Sequence, residues 1–157
     1  VTGRNSYGVK GISLREGDAV VAMQFTAQGD ELLTVTAYGM GKRTELTEFH
    51  AQNRGGYGNL CHKLTDKTGL LIGAKLVRED QEMLLITNTG VMIRISVGDI
   101  SKYGRVASGV KLMNIERDGE EEIRIAGIAK VKESMSAVQE NEGDTESGED
   151  NEDIENK

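Results

Sequence analysis

Apolar and polar residues alternate in short runs along this chain, and nearly every run is closed by a turn signal. Residues 31–37 alternate well enough for a half-buried strand, with Leu32 or Leu33, Val35 and Ala37 as the inward positions. Residues 9–14, 19–26, 58–64, 70–77, 83–87, 91–97, 109–115 and 123–131 are likewise predicted as strands. Their boundaries fall at Glu16-Gly17-Asp18, Gln28-Gly29-Asp30, Tyr38-Gly39-Met40-Gly41, Thr65 to Gly69, Glu79-Asp80-Gln81, Asn88-Thr89-Gly90 and Asp118-Gly119. Proline is absent, and no stretch sustains a helical period. The class is all-β.

The elements recur at a fixed distance. Arg4 is followed by Gly8, Arg54 by Gly58 and Arg105 by Gly109, the arginines standing 50 and 51 residues apart. Glu48-Phe49 precedes Arg54 at the same offset as Asp99-Ile100 precedes Arg105, and Gly39 with Arg43 returns as Gly90 with Arg94. A period of this size marks a repeat architecture. With roughly four short strands per ~50 residues, it predicts radially arranged four-stranded blades.

Charge divides the chain in two. From Glu133 onward there are ten acidic residues and one lysine; the first 132 residues hold 16 acidic and 18 basic ones. The domain reading is therefore a slightly basic globular part at 1–132 and an acidic tail at 133–157. The tail has too few apolar residues to offset its ordering entropy and is expected to be disordered. It would either compete with a polyanion for the basic surface or simply add solubility. The first residue is not methionine and stands almost inside a repeat, so the chain reads as a piece whose N-terminal neighbours are missing. No apolar run approaches the ~20 residues of a membrane span. The single cysteine, Cys61, fits a reducing cytoplasm.

Enzyme readings fail on inventory. His50 and His62 are the only histidines, and neither has the partners of a triad or a zinc site. Cys61-His62 would suit a metal, yet Gly11-Ile12 and Leu112-Met113 hold the matching positions in the other units, which favours packing on a strand. Gly55-Gly56-Tyr57-Gly58 lacks the Lys-Ser/Thr of a phosphate loop and leads into a predicted strand, not a helix.

The basic residues obey the repeat. Arg4, Arg54 and Arg105 hold one position, Arg43 and Arg94 another with Lys42 beside the first, and Lys10 and Lys111 a third where the middle unit has Leu60. On successive blades such residues are expected side by side along a convex edge where a duplex bends, each neutralising a phosphate without reading bases. The predicted DNA-contacting set is Arg4, Lys10, Lys42, Arg43, Arg54, Arg94, Lys102, Arg105 and Lys111. The alternative for the arginines is structural, as blade-to-blade salt bridges with Glu48 and Asp99.

These motifs resemble the C-terminal domain family of DNA gyrase A, which is part of a type IIA topoisomerase. The resemblance rests on Gly39-Met40-Gly41-Lys42-Arg43-Thr44, Glu48-Phe49, Gln52 to Gly58, Leu64 to Gly69, Asp99-Ile100-Ser101, Gly104-Arg105 and Gly109 to Leu112, and covers about residues 1–131. It implies a β-pinwheel that wraps double-stranded DNA around a basic rim, of which about two and a half to three blades are present. It also implies no catalytic residue and no cofactor in this piece. ATP and Mg²⁺ would be used elsewhere in an ATP-hydrolysing parent enzyme, a heterotetramer with the gyrase A N-terminal region and the gyrase B subunit. The nucleophilic tyrosine would lie in that N-terminal region, not at Tyr7, Tyr38, Tyr57 or Tyr103.

Gln52 to Gly58 matches the Gln, second Arg and all three Gly of the family's diagnostic Gln-Arg-Arg-Gly-Gly-Lys-Gly, but has Asn53 and Tyr57 at its other basic positions. The corresponding domain of topoisomerase IV, which lacks an intact box, is therefore an alternative parent. A kelch- or WD-type interaction propeller is the other alternative, against which stand the absence of tryptophan and a single Gly-Gly pair. A ring cut to so few blades is expected to be marginally stable or to associate through its cut edge.

Overall fold

Strand β1 (Glu31–Thr36) is buried on both faces and carries the centre of the fold. Leu33 and Val35 point into the apolar core, while Thr34 and Thr36 are equally inaccessible on the opposite face. The alternation read from the sequence thus separates the apolar core face from a second face that is buried as well, although threonine occupies it. In this computed structural model, residues 4–115 and 122–131 are described. The expected tail at 133–157 and the turn at Asp118-Gly119 lie outside them.

The described strands form two antiparallel sheets. One has the order β3-β1-β2-β6, with β2 at Met40–Glu45, β3 at Leu71–Val77 and β6 at Val110–Lys111. The other has the order β5-β4-β7, with β4 at Glu82–Thr87, β5 at Met92–Ser96 and β7 at Ile125–Lys130. Both central hairpins share one register logic. Leu33 faces Arg43 across β1–β2, and Leu84 faces Arg94 across β4–β5. The hairpin turns use Gly39 at φ +80° and Gly90 at φ +84°, a conformation that only glycine adopts without strain.

Leu33, Val35, Val77, Met83, Leu85, Val97, Ile100 and Ile125 form one cluster drawn from both sheets and from the turn after β5. Burial of each large aliphatic side chain here contributes about 1.5–3 kcal/mol. Of the inward positions read from the sequence, Leu33, Val35 and Ala37 are buried.

Two expectations are corrected. A sheet is not one contiguous unit of the repeat: β1 and β2 come from the first period, β3 from the second and β6 from the third. Residues 9–14, 19–26 and 58–64 contain no strand, and 109–115 keeps only Val110–Lys111. The reason is pairing. Residues 71–77 pair with the strand about 40 positions earlier in the chain. Residues 19–26 stand one period before them and have no such strand among the described residues. Extended conformation without a ladder partner remains loop.

Candidate nucleic-acid interface

The three Arg-x-x-x-Gly segments become straps outside the strand ladders. Gly8, Gly58 and Gly109 all sit in the left-handed region, at φ +77°, +77° and +74°. At Gly109 space also demands glycine, because a Cβ would stand 2.4 Å from the Gly41 carbonyl oxygen. The straps lie against one another. Gly55 donates its N–H to Gly11 and Ser13 to Gly56, joining the first strap to the second. Lys63 donates to the Ala107 carbonyl and the Arg105 guanidinium to that of Leu60, joining the second to the third.

On this stack Arg4, Lys10, Arg54, Lys63 and Lys111 are exposed. None of these side chains makes a hydrogen bond or ion pair among the described residues. Their charges are available to an outside anion. Arg15 is also exposed and stacks over the Tyr57 ring, 5.7 Å from its centroid. Lys63 and Arg15 were missed by sequence reasoning because neither recurs in the other units; the Lys63–Ala107 hydrogen bond and the Arg15–Tyr57 contact place them here.

Lys42 and Arg43 contradict their predicted role. Lys42 is 0 % exposed and donates Nζ to the carbonyls of Gly104 and Arg105, the latter at 2.8 Å. Burial pushes its pKa down, partly opposed by Cys61 and Glu48. Arg43 is 3 % exposed and spends its guanidinium on Ile100 O at 2.6 Å, Gly98 O at 3.1 Å and Glu31 Oε2 at 2.9 Å. Lys42 fastens the third strap to β2 from inside, Arg43 fastens the turn after β5 to it, and neither buried side chain is free for a phosphate. The sequence held a warning for each. One period on from Lys42 stands Ile93, a residue packed against the core, and Arg43 follows Glu31 by the same interval as Arg94 follows Glu82.

The remaining predicted residues are divided in their contacts. Arg94 is exposed but paired with Glu82 across β4–β5, which raises its pKa. Lys102 is exposed and bonds Glu31 Oε1 at 2.6 Å, which raises its pKa. Arg105 lies over the Phe49 ring at 5.9 Å, and Glu48 accepts from its backbone N–H at 3.0 Å. The alternative of a salt bridge to Glu48 is thus replaced by a main-chain contact with the same residue.

His62 is 2 % exposed. Its Nε2 lies 3.0 Å from the Ser108 carbonyl, which can only accept, so Nε2 carries the proton and Nδ1 accepts from the Thr34 hydroxyl at 2.9 Å. Burial lowers its pKa, and Lys42 lowers it further. His62 links the second and third straps to β1. That is the packing role its position in the repeat favours.

The family model described as the DNA gyrase C-terminal domain, a β-propeller, matches residues 1–27, 30–78 and 81–125. The chain is 39 % identical over 145 residues to the DNA gyrase A protein of Staphylococcus aureus, covering 91 % of this chain and 16 % of that protein. It is 43 % identical over 133 residues to the DNA gyrase A protein of Staphylococcus epidermidis, covering 83 % of this chain and 14 % of that one. It thus spans about a seventh of the length of these relatives. Among solved structures it is similar to a DNA gyrase A C-terminal domain, with TM-score 0.71, 28 % identity and coverage of 78 % of this chain and 41 % of the other. It is also similar to the C-terminal domain of DNA topoisomerase IV, with TM-score 0.69, 28 % identity and coverage of 80 % and 38 %. These matches agree with the repeat and the all-β fold that the chain belongs to the DNA gyrase C-terminal domain family, a β-propeller (pinwheel).

Proposed function

We propose that this chain is a non-catalytic, DNA-binding portion of a gyrase A protein, and that a duplex bends along its stacked straps. The observation that carries the reading is the run of exposed cations, without a partner among the described residues, on three straps joined edge to edge: Arg4, Lys10, Arg54, Lys63 and Lys111. Lys42 and Arg43 are no part of it, so the contacts come from the straps and not from the β2 strand. Arg94, Lys102 and Arg105 contribute only insofar as phosphate displaces their present partners.

Bending 20–30 base pairs by 40–90° costs on the order of 1–6 kcal/mol, which phosphate contacts must offset. In the whole enzyme the wrap would orient the crossing of two duplex segments before strand passage, in support of ATP-dependent negative supercoiling. ATP and Mg²⁺ would be handled by other parts of an assembly made with the gyrase A N-terminal region and the gyrase B subunit. Work on the bacterial chromosome would place that assembly in the cytoplasm. Topoisomerase IV is the second reading, supported by the nearly equal structural likeness to its C-terminal domain.

The test is a duplex-binding titration over salt. With roughly six phosphates neutralised, affinity falls about 10³-fold between 50 and 200 mM salt. A flat response removes the proposal. Ligation of nicked circles in the presence of the chain reads separately whether the bent duplex is also wrapped with a hand, as a shift in linking number.

A further inference from the structure

Two lysines stand where the core of this fold should be apolar. Lys75 of β3 lies opposite Leu33 across the β1–β3 ladder, and Lys130 of β7 lies opposite Met83 across β4–β7. Directly opposed residues project to the same side of a sheet. Leu33 and Met83 belong to the core between the two sheets, so both lysines are on inward faces. Two residues before them those faces touch: a Cβ on Gly73 would lie 2.9 Å from Ile128 Cδ1. Arg78 follows directly on the end of β3.

These three cations share one neighbourhood. Burial lowers the pKa of Lys130, and the charges of Arg78 and Lys75 lower it further. Lys130 Nζ donates to Gln28 O at 3.3 Å, and no ion pair neutralises any of the three among the described residues. The nearby carboxylates are engaged elsewhere. Glu31 bonds Arg43 and Lys102, Glu79 lies 3.7 Å from Arg43, and Glu82 is paired with Arg94. The cluster is also remote from the third strap. β3 and β6 are opposite edges of one sheet, three strand spacings or about 14 Å apart. Like charges gathered at an interface between sheets repel, and a compact, multiply charged anion removes that repulsion. Two ammonium groups and a guanidinium suit the oxygens of linked phosphates.

We propose that Lys75, Arg78 and Lys130 form a second anion site, distinct from the straps, that holds a phosphate chain, free or as part of a nucleotide, between β3 and β7. Bound there, the anion ties the two sheets together. The site does not depend on the duplex reading.

The test follows the unfolding midpoint of the full chain at low salt while inorganic tripolyphosphate is added. A ligand of the folded state alone raises the midpoint by roughly 5–10 °C at a hundredfold excess over its dissociation constant. The expected result is a saturable rise of that size for the unaltered chain and for Lys111→Ala. Lys75→Met and Arg78→Gln are expected to need about tenfold more anion for half-saturation. Arg78 is exposed, so its variant keeps the test open if Lys75→Met perturbs folding. A nucleoside triphosphate that half-saturates at lower concentration than tripolyphosphate identifies the bound chain as a nucleotide's. Equal responses from the unaltered chain and both cluster variants, or a response lost in Lys111→Ala, overturn the proposal by placing the anion on the straps. No stabilisation of the unaltered chain overturns it as well; a midpoint lowered by Lys75→Met in that case assigns the site to carboxylates of the chain itself.

Discussion

Arg43 donates its guanidinium to Glu31 across the β1–β2 hairpin at 2.9 Å, with the two side chains only 4 % and 9 % exposed. One period later, Arg94 makes the same cross-strand pair with Glu82 but in solvent. The difference is the third strap, which lies over β2 and has no counterpart on β5 among the described residues. Arg43→Ala would leave Glu31 with Lys102 alone and is expected to cost about 3 kcal/mol, as for a buried pair that loses one partner. Arg94→Ala is expected to cost under ~1 kcal/mol. Urea unfolding midpoints of the two variants check the contrast.

Buried and exposed lysines should separate in DNA binding. Lys42→Met leaves the carbonyls of Gly104 and Arg105 without their donor, at about 1–3 kcal/mol of stability. It should leave the slope of log affinity against log salt unchanged for the folded protein. Lys111→Ala should leave stability nearly unchanged and reduce that slope by about 0.9, one phosphate's share. A slope change on Lys42→Met would mean that the strap opens on DNA.

What the sequence disclosed and what it hid follow from the same repeat. Period and turn chemistry located the β1–β2 and β4–β5 hairpins and the buried Leu33 and Val35, because these depend on residues close together in the chain. Pairing between periods was not legible. Nothing in residues 19–26 or 58–64 says that their ladder partners are absent, and so both looked like strands. The Lys42-Arg43 dipeptide looked like surface charge for a related reason: what buries it is a segment some 60 residues downstream. Only Ile93, one period on from Lys42, hints at its interior position; the repeated Glu–Arg interval hints at the cross-strand pair but not at its burial.

Acid should loosen the straps at His62. Its folded pKa lies below its ordinary 6.5, so the unfolded chain binds the proton more readily. Its contribution is therefore intact above about pH 6.5 and declines as pH falls from there through the lowered value. His62→Gln, which can still donate and accept at these positions, is expected to flatten that part of the stability–pH curve. Denaturation midpoints between pH 7.5 and 5 in both proteins provide the measurement, and parallel curves would refute the assignment.

Glycines that share a backbone angle should differ in cost. Gly90→Ala meets nothing within 4 Å, so it bears only the left-handed strain, about 1 kcal/mol. Gly109→Ala bears the same strain and in addition drives a methyl into the Gly41 carbonyl. Its unfolding midpoint should fall well below that of Gly90→Ala, and hydrogen exchange at Leu112 should speed up.

Because one sheet draws its strands from three successive periods, the array is woven rather than strung. Excising a single ~50-residue stretch would tear threads from neighbouring blades, and a deletion in one period would be felt first in the one before it. Such a fold can change its number of blades only if the new junction restores every over-and-under crossing at once. Length variation is therefore confined to whole periods and to loose ends.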